Sequence, residues 1–319
     1  MSFVHEDAEA FEDLVSIVAD DRKIPTALVE KDYWVTHTLW ALKKTGFEIW
    51  FKGGTSLSKG FGIIERFSED LDLRIDPGTV SGLKHAANWK SDGTTAVAER
   101  RAYFEALAAA IVVPDTKVEL DDDAIEGDWF GMELRVTYPG RHLGELGLLV
   151  PYVRLEIGVA RVTPFVERDL TSFVHEHLVK LGQLDDYDDN RPKAIRCVHP
   201  LVTLIEKLDA IQRRHGKNRE PASYVRHFED AARIVGKASE LDPLDGYSGV
   251  SQLADEMFSQ RQIAARPTPA APSLTPNEGE QWEALRRAHA AIESMFWGDR
   301  IPIDQCCETL RAWIANDLA

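Results

Sequence analysis

The chain has little of three features that would assign it to a secreted, disulfide-bonded or membrane protein. Its 319 residues include only three cysteines, Cys197, Cys306 and Cys307, whose spacing matches neither a disulfide framework nor a zinc site. The longest apolar run, residues 146–153, is interrupted by glycine and proline. It is far shorter than the roughly 20 residues that a membrane span needs. The acidic N-terminus does not resemble a secretory signal. We therefore expect a cytoplasmic protein with no membrane contact.

Positive charge is also scarce. The 53 acidic residues outnumber the 37 basic ones and give a net charge of −16. A protein that holds nucleic acid over a broad surface normally has a basic excess, because neutralising phosphates supplies most of the non-specific affinity. Any contact with a polynucleotide is therefore expected to be local.

Length and residue patterning predict an α/β (α+β) protein of two domains, residues 1–164 and 165–319. The first is predicted to contain a small mixed sheet, and the second to be helical with a proline-rich spacer at residues 266–276. Helices are expected over residues 6–19, from Pro25 to Gly46, and over 57–64, 96–110, 201–211, 224–235, 252–263, 280–295 and 303–318. Strands are expected over residues 47–51, 70–75, 117–120, 129–138 and 152–159.

Asp70 and Asp72 form the most informative motif. Strand side chains two residues apart project from the same face, so both carboxylates point one way while Leu71 and Leu73 point into the core. Adjacent carboxylates repel each other, and a bound divalent cation removes that repulsion. Hard oxygen ligands of this kind suit Mg²⁺ or Mn²⁺ together with substrate phosphates. An isolated Asp-x-Asp is usually a solvated edge strand, but the segment upstream argues against that interpretation.

The segment before this strand has the chemistry of a phosphate-binding turn. A glycine pair lets the backbone approach a ligand closely, and the free N–H groups at the start of the following helix favour a phosphate. The residues predicted to bind a nucleoside triphosphate are Lys52, Gly53, Gly54, Thr55, Ser56, Lys59 and Arg66. Lys59 and Arg66 are equally well interpreted as exposed helix charges.

KGGTSLSK followed by IERFSEDLDL resembles the signature of the AbiEii/AbiGii-type nucleotidyltransferase toxins. This abortive-infection and type IV toxin–antitoxin family is a branch of the polymerase-β-like nucleotidyltransferases. VEKDYWV before the signature and SMFWGDRIP near the end are also similar to segments of the family. The resemblance is strongest over residues 29–75 and implies a polymerase-β-like fold for the first domain.

The resemblance further implies a third acidic metal ligand on a neighbouring strand. Glu156 in YVRLEIG is the best candidate, because it shares one strand face with Arg154 while the apolar residues between them share the other. Glu156 is also interpretable as an exposed residue or as a partner of Arg154. Asp115 and Glu119 are the fallback candidates.

Two residues of the helical half match further positions of the family. Lys207 and Asp230 correspond to a lysine and a later aspartate that the family carries, so the resemblance implies a catalytic role for both. Lys207 lies to one side of an apolar helix stripe, where it would bind the triphosphate as a compact positive charge. Asp230 would orient Lys207 or a basic neighbour. Without the resemblance both are ordinary surface charges.

A local basic cluster follows Lys207 in the sequence. Its members are Arg213, Arg214, His215, Lys217, Arg219 and Arg226. An RNA end would dock on such a cluster, although a solvated basic turn between helices is an equally good interpretation. Tyr224 is placed either to stack on a base or to pack in the core.

The combined prediction is an Mg²⁺-dependent nucleotidyltransferase that moves a nucleoside monophosphate from an NTP to an acceptor hydroxyl. Asp70, Asp72 and Glu156 would hold the metal. The resemblance implies a tRNA 3′ end as acceptor, a growth-arresting toxin role in phage defence, and a cognate antitoxin as partner. Nucleotidylation of a small molecule such as an aminoglycoside, or of a protein, is the first alternative, since an acidic protein attracts cationic substrates. The second is an inactive nucleotide-binding module, against which the intact Asp70 and Asp72 argue.

Overall fold

The computed structural model describes residues 2–68, 70–89, 91–121, 128–142 and 150–318. Two helices begin the chain, α1 (Ala8–Arg22) and α2 (Thr26–Thr45). The second ends at Gly46, whose φ of 103° a glycine adopts without the steric penalty of a side chain. The helix predicted between Pro25 and Gly46 is therefore confirmed.

The segment that carries the signature alternates strands and helices. It contains β1 (Glu48–Lys52), α3 (Gly53–Lys59), β2 (Asp70–Asp76), α4 (Thr94–Ala110), β3 (Lys117–Leu120), β4 (Gly131–Thr137) and β5 (Val153–Gly158). The predicted turn at Gly53 and Gly54 and the predicted helix over residues 57–64 were wrong, because α3 begins at Gly53 itself and ends at Lys59. The acidic stretch 121–128 between the third and fourth predicted strands is expected to be a loop, and its residues 122–127 lie outside the described residues.

The remainder of the chain is mostly helical but holds two more strands. It contains β6 (Phe165–Arg168), α5 (Phe173–Leu181), β7 (Ile195–Val198), α6 (Pro200–Gly216), α7 (Arg226–Gly236), α8 (Val250–Ser259), α9 (Glu280–Ala291) and α10 (Ile303–Asp317). The prediction of a purely helical chain after residue 164 was wrong for β6 and β7. Each has four residues, which is too short for a periodic pattern to stand out.

Seven described strands form one mixed sheet in the order β3-β4-β5-β2-β1-β7-β6. β2 lies between the antiparallel strand β1 and the parallel strand β5. β4 pairs antiparallel with both β5 and β3. Four strands are thus consecutive neighbours in the order β1, β2, β5 and β4. Together with the helices, this mixed sheet confirms the predicted α/β class.

The chain divides into two compact units. Unit 1 consists of Met1–Gly60, Ser68–Val162 and Glu167–Cys197; unit 2 consists of Phe61–Phe67, Thr163–Val166 and Val198–Ala319. In unit 2, α7 packs against both α6 and α10. The domain boundary expected at residue 164 stays a prediction. None of the described helices is both long and apolar enough to cross a membrane.

A buried polar network holds α2 in the core of unit 1. The Asn190 amide nitrogen lies 2.9 Å from the Tyr33 hydroxyl and 2.8 Å from His37 Nδ1, and the Asn190 carbonyl oxygen lies 2.7 Å from His175 Nε2. Burial lowers the pKa of His37 and of His175 to about 4. Both imidazoles are therefore neutral at pH 7, and their ring nitrogens serve as structural hydrogen-bonding groups.

Candidate active site

The two aspartates of the signature lie on one face of β2. Asp70 and Asp72 are partly exposed, whereas Leu71 and Leu73 on the opposite face are buried. This alternation follows from the two-residue period of a strand and confirms the predicted division of faces. β2 is a central strand, so the alternative of a solvated edge strand is wrong.

Glu156 is the direct neighbour of Asp72. In the parallel pairing of β2 with β5, Asp70 is in register with Arg154 and Asp72 with Glu156. Arg154 and Glu156 share the face opposite to the buried Val153, Leu155 and Ile157, as expected. The carboxylates of Asp72 and Glu156 therefore project side by side from one face of the sheet.

A further carboxylate that the sequence analysis missed continues this row. Glu133 on β4 is in register with Glu156 and lies on the same face, because Met132 and Leu134 on either side of it are buried. The polar and apolar alternation of GMELRVT was the available signal. It shows which residues share a face, but only the pairing of β4 with β5 shows that Glu133 adjoins Glu156.

The row of acids changes the ionisation of its members. Burial, followed by the charges of Asp72, Asp70 and Glu133, raises the pKa of Glu156 to about 8. Burial also raises the pKa of Glu133, an effect that Arg154 partly opposes. Without a cation, the Glu156 carboxyl is therefore mostly protonated at pH 7, which relieves its repulsion with Asp72.

Arg154 compensates part of this negative charge. Its Nη1 lies 3.3 Å from Asp70 Oδ1 and its Nε lies 3.7 Å from Glu133 Oε2. Asp70 Oδ1 is nevertheless buried without a hydrogen-bond donor, and Arg154 Nε without an acceptor. A buried carboxylate oxygen with an unmet lone pair is suited to a ligand with positive charge.

Gly53 provides the space beneath Asp72. A Cβ atom built on Gly53 would stand 1.7 Å from Asp72 Oδ2, and the backbone at Gly53 has a φ of 74°. Glycine is required here for both reasons, since a side chain would displace the aspartate and strain the backbone. The glycine of the signature thus allows a carboxylate to lie directly on the start of α3.

These residues fit a hard divalent cation. Asp70, Asp72 and Glu156 offer carboxylate oxygens on one face, one of them buried and lacking a donor. Among the described residues, no group of three or more metal-binding side chains is already gathered into a metal cage. A cation would therefore draw these carboxylates together and take the place of the proton that Glu156 holds in its absence.

The hydroxyl groups of Thr55 and Ser56 are turned into the protein. Thr55 Oγ1 donates to the carbonyl oxygen of Asp70 at 2.7 Å, and Ser56 is 2% exposed. The Thr55 contact joins α3 to the start of β2 and so gives this hydroxyl a structural role. Contacts of Gly54, Thr55 and Ser56 with a phosphate stay a prediction. Lys52, the last residue of β1, is in register with Asp72.

Lys59 is held by groups of unit 1. Its ammonium lies 2.5 Å from Asp32 Oδ1 and donates to the carbonyl oxygen of Thr171 at 2.9 Å. Asp32 is itself 5% exposed and accepts a hydrogen bond from the backbone of Phe173. The interpretation of Lys59 as an exposed helix charge is wrong, and its contact with a nucleotide stays a prediction.

Arg66, Lys207 and Asp230 come together in unit 2. The Asp230 carboxylate accepts two hydrogen bonds from the Arg66 guanidinium and one from the Lys207 ammonium, all at 2.7 Å. Asp230 is 0% exposed, Arg66 2% and Lys207 8%. The interpretation of these three residues as ordinary surface charges is therefore wrong.

This buried cluster keeps its aspartate ionised. Burial alone would raise the pKa of Asp230, but the charges and hydrogen bonds of Arg66 and Lys207 outweigh it and hold the pKa far below its ordinary value. The suggestion that Asp230 orients Lys207 agrees with the 2.7 Å contact between them. The catalytic roles of Lys207 and Asp230 stay predictions.

The basic cluster of unit 2 forms a concave surface. A cavity of about 440 Å³ is lined by Arg213, Arg214, Lys217, Arg219, Glu220 and Ser223. Burial, with the charges of Arg226 and Arg213, lowers the pKa of Arg214. Tyr224 is 0% exposed, so it packs in the core and the suggestion that it stacks on a base is wrong.

The fallback metal ligands have other partners. Asp115 lies 3.0 Å from His5 Nε2, and the exposed Glu119 forms an ion pair with Lys117. Glu119 lies on β3, in register with Arg135 on β4, and the strands β4 and β5 separate it from β2.

Comparison with known families agrees with this geometry. Residues 42–315 match the family model described as nucleotidyl transferase AbiEii toxin, Type IV TA system. The chain belongs to this family. The match includes Asp70, Asp72, Glu156, Lys207 and Asp230. No curated protein and no solved structure matches the chain.

Membership of the AbiEii family makes the chain a nucleotidyltransferase. It confirms the predicted enzyme class and the resemblance drawn from the signature. In this AbiEii chain, Glu133 and Arg154 lie on the same sheet face as Asp70, Asp72 and Glu156.

Proposed function

We propose that this chain transfers a nucleoside monophosphate from an NTP to the 3′ end of a tRNA, with Mg²⁺ or Mn²⁺ held by Asp70, Asp72 and Glu156. The observation that carries the proposal is the register of Asp72 with Glu156 on the face that also presents Asp70, immediately above Gly53. The cation, when bound, neutralises charge that develops on the transferred phosphate.

The reaction displaces pyrophosphate in line. The acceptor hydroxyl oxygen forms a bond to the α-phosphorus, while the bond from that phosphorus to the bridging oxygen breaks and its electron pair leaves with pyrophosphate. Glu156, in the ionised form that a bound cation would favour, takes the acceptor proton, and its position beside Asp72 suits this role. Arg154 limits repulsion among the acids through its contacts with Asp70 and Glu133.

The triphosphate is proposed to bind at the Gly53 end of α3, beside Lys52. Lys52 supports this assignment because it is the cation in register with Asp72. Lys207 is proposed to bind the triphosphate as well, with its ammonium oriented by Asp230. The tRNA is proposed to dock on the basic concave surface lined by Arg213, Arg214, Lys217 and Arg219, and on Arg226, whose charge acts on Arg214. Phosphates there would relieve the repulsion among like charges.

The physiological role is proposed to be that of a growth-arresting toxin in phage defence, neutralised by a cognate antitoxin. Membership of a family of toxins from type IV toxin–antitoxin systems supports this role. Expression of the wild type is expected to arrest growth, and Asp70→Ala to relieve the arrest. Arrest that persists with Asp70→Ala would show that catalysis is not its cause.

One assay tests the proposed reaction. Purified protein is incubated with each labelled NTP and Mg²⁺, together with total tRNA, a panel of aminoglycosides, or no acceptor. Label on tRNA from the wild type, but not from Asp72→Ala, is the expected result. If label is found only on a small molecule or on the protein itself, that molecule and not tRNA is the acceptor. Absence of any transfer by the wild type would favour a nucleotide-binding module without chemistry.

A further inference from the structure

A cavity of about 270 Å³ adjoins the acidic row on the same face of the sheet. Lys52, Asp72 and Arg74 line it on the side of β1 and β2, and Glu133, Glu156 and Phe130 line it on the side of β5 and β4. Its size suits a single sugar-and-base unit and excludes an RNA duplex. Every residue that lines it belongs to unit 1.

Two glycines facing each other across neighbouring strands create this space. Gly158 at the end of β5 is in register with Gly131 at the start of β4, and both line the cavity. Gly158 shares a strand face with Glu156, so a side chain at position 158 would project from the face of the acids. A Cβ atom built there meets nothing within 4 Å, and the backbone of Gly158 is not in the left-handed region. Neither strain nor close packing therefore requires glycine at position 158.

The two sides of the cavity differ in charge. On the side of β1 and β2, Lys52 and Arg74 outnumber Asp72, although Arg74 also pairs with Asp76. On the other side, Glu133 and Glu156 extend the row of acids towards β4. The pyrophosphate end of an NTP carries most of its negative charge and is attracted to the cations and repelled by Glu133. An in-line displacement requires the attacking oxygen to approach from the side opposite to the leaving pyrophosphate. The acceptor then enters from the side of Gly158, Gly131 and Glu133.

We propose that the cavity above Gly131 and Gly158 binds the terminal nucleoside of the acceptor strand, and that Gly158 determines the size of group admitted. This assignment rests on the proposed transfer reaction. The hydroxyl of that nucleoside attacks the α-phosphorus, its proton passes to a carboxylate of the acidic row, and pyrophosphate leaves towards Lys52.

On the side of β5 and β4, the lining of the cavity suits a nucleoside better than a phosphate. Glu133 and Glu156 disfavour an additional anion, while their oxygens accept hydrogen bonds from sugar hydroxyls. Phe130 offers a ring against which a base packs. Arg100, which is 0% exposed, lies 4.2 Å from the centre of this ring and donates to the carbonyl oxygen of Asp128, so that the ring is held in position.

The test fills the cavity without touching a carboxylate. Gly158→Ala and Gly158→Val are compared with the wild type for transfer of label to total tRNA, and for NTP binding in the presence of Ca²⁺ without acceptor. Gly236→Val is the matched control, because Gly236 also has open space at its Cβ position but belongs to unit 2. Thermal denaturation checks that every variant is folded; valine is favoured in strands, and the smaller alanine provides a second variant.

We expect Gly158→Val to raise the KM for tRNA, or to lower the transfer rate, by about tenfold or more, as added methyl groups do in a filled pocket. Gly158→Ala should lie between it and the wild type, with NTP affinity unchanged in both. Gly236→Val should match the wild type. An unchanged KM and rate for Gly158→Val would overturn the assignment, and loss of NTP affinity would identify the cavity as part of the nucleotide site instead. If the wild type itself transfers nothing, the proposed reaction fails and this assignment fails with it.

Discussion

Asp72 and Glu156 are adjacent in register on the parallel strands β2 and β5, and the charge of Asp72 is one reason why the pKa of Glu156 rises to about 8. Burial is the larger cause. The two acids therefore behave as a coupled pair that holds a proton at neutral pH when no cation is present. This relationship links the stability of the protein to pH.

The first prediction concerns Glu156→Gln in the absence of divalent cations. The folded pKa of Glu156 lies above its ordinary value of 4.5, so the folded state binds the extra proton. The stabilising contribution is fully present below the ordinary pKa and is lost as the pH rises through about 8. Glutamine does not ionise and removes this loss. We therefore compare the unfolding free energy of Glu156→Gln with that of the wild type at each pH. This difference should shift in favour of the variant by about 1–2 kcal/mol from acidic to alkaline pH, a value that allows for solvent screening.

Urea denaturation at several pH values measures this difference. Glu119→Gln is the control, because Glu119 has a side chain that is 49% exposed and pairs with Lys117. Its stability should follow that of the wild type at every pH. If the stability of Glu156→Gln also follows that of the wild type at every pH, the proposed protonation of the pair is contradicted.

The second prediction compares alanine at two glycines that share a left-handed backbone. Gly53 has a φ of 74° and Gly62 a φ of 61°, so Gly53→Ala and Gly62→Ala each incur a backbone penalty of roughly 1–2 kcal/mol. Only the Cβ atom at position 53 meets Asp72 Oδ2, since nothing lies within 4 Å of the Cβ position at 62. Gly53→Ala should therefore also displace Asp72.

Calorimetric titration with Mn²⁺ distinguishes the two variants. We expect Gly53→Ala to weaken Mn²⁺ binding by about tenfold or more, as displaced supporting groups do at metal sites. Gly62→Ala should retain the affinity of the wild type. Equal affinities would mean that Asp72 does not hold the cation.

Local patterning was sufficient to predict the parts of the site that lie within single strands. The period of two residues assigned Asp70 and Asp72 to one face of β2 and Glu156 to the polar face of β5, because face alternation is a property of each strand alone. The class of fold was predictable for the same reason. Glu133 was not found, since its position beside Glu156 depends on which strands pair.

Contacts between distant residues were also beyond the reach of the sequence. Arg66 and Asp230 are separated by 164 positions, and their bidentate contact depends on the tertiary fold. Asp32 and Lys59 pair for the same reason. Periodicity indicates which face of a helix is apolar, but it does not show that a charged residue is buried with a partner of opposite charge.

The third prediction concerns this buried cluster. Asp230→Asn leaves the Arg66 and Lys207 cations without their carboxylate in a nearly fully buried position. We expect it to lower the unfolding free energy by about 3–5 kcal/mol, the usual effect of leaving a buried charge unpaired. Lys207→Met should cost less, because Arg66 still forms two hydrogen bonds with Asp230.

Chemical denaturation measures both variants. Asp304→Asn is the control, because its pair with Arg286 is partly exposed, with side chains 32% and 47% exposed, and should contribute at most about 1 kcal/mol. If Asp230→Asn loses no more stability than Asp304→Asn does, a structural role for the cluster is contradicted. A folded Lys207→Met variant that transfers no nucleotide would support the proposed contact of Lys207 with the triphosphate.

The last prediction concerns the basic concave surface of unit 2. Lys217 and Arg219 line its cavity, and their side chains are exposed. If each contacts one tRNA phosphate, the Lys217→Ala/Arg219→Ala variant should bind tRNA more weakly, and the slope of log affinity against log salt should fall by about two. NTP affinity should not change. Lys237→Ala is the control, because Lys237 is an exposed cation outside the cavity that pairs with Glu240. Filter binding over a salt series measures the slopes. If the double variant has the same slope as Lys237→Ala, the tRNA contacts a different surface.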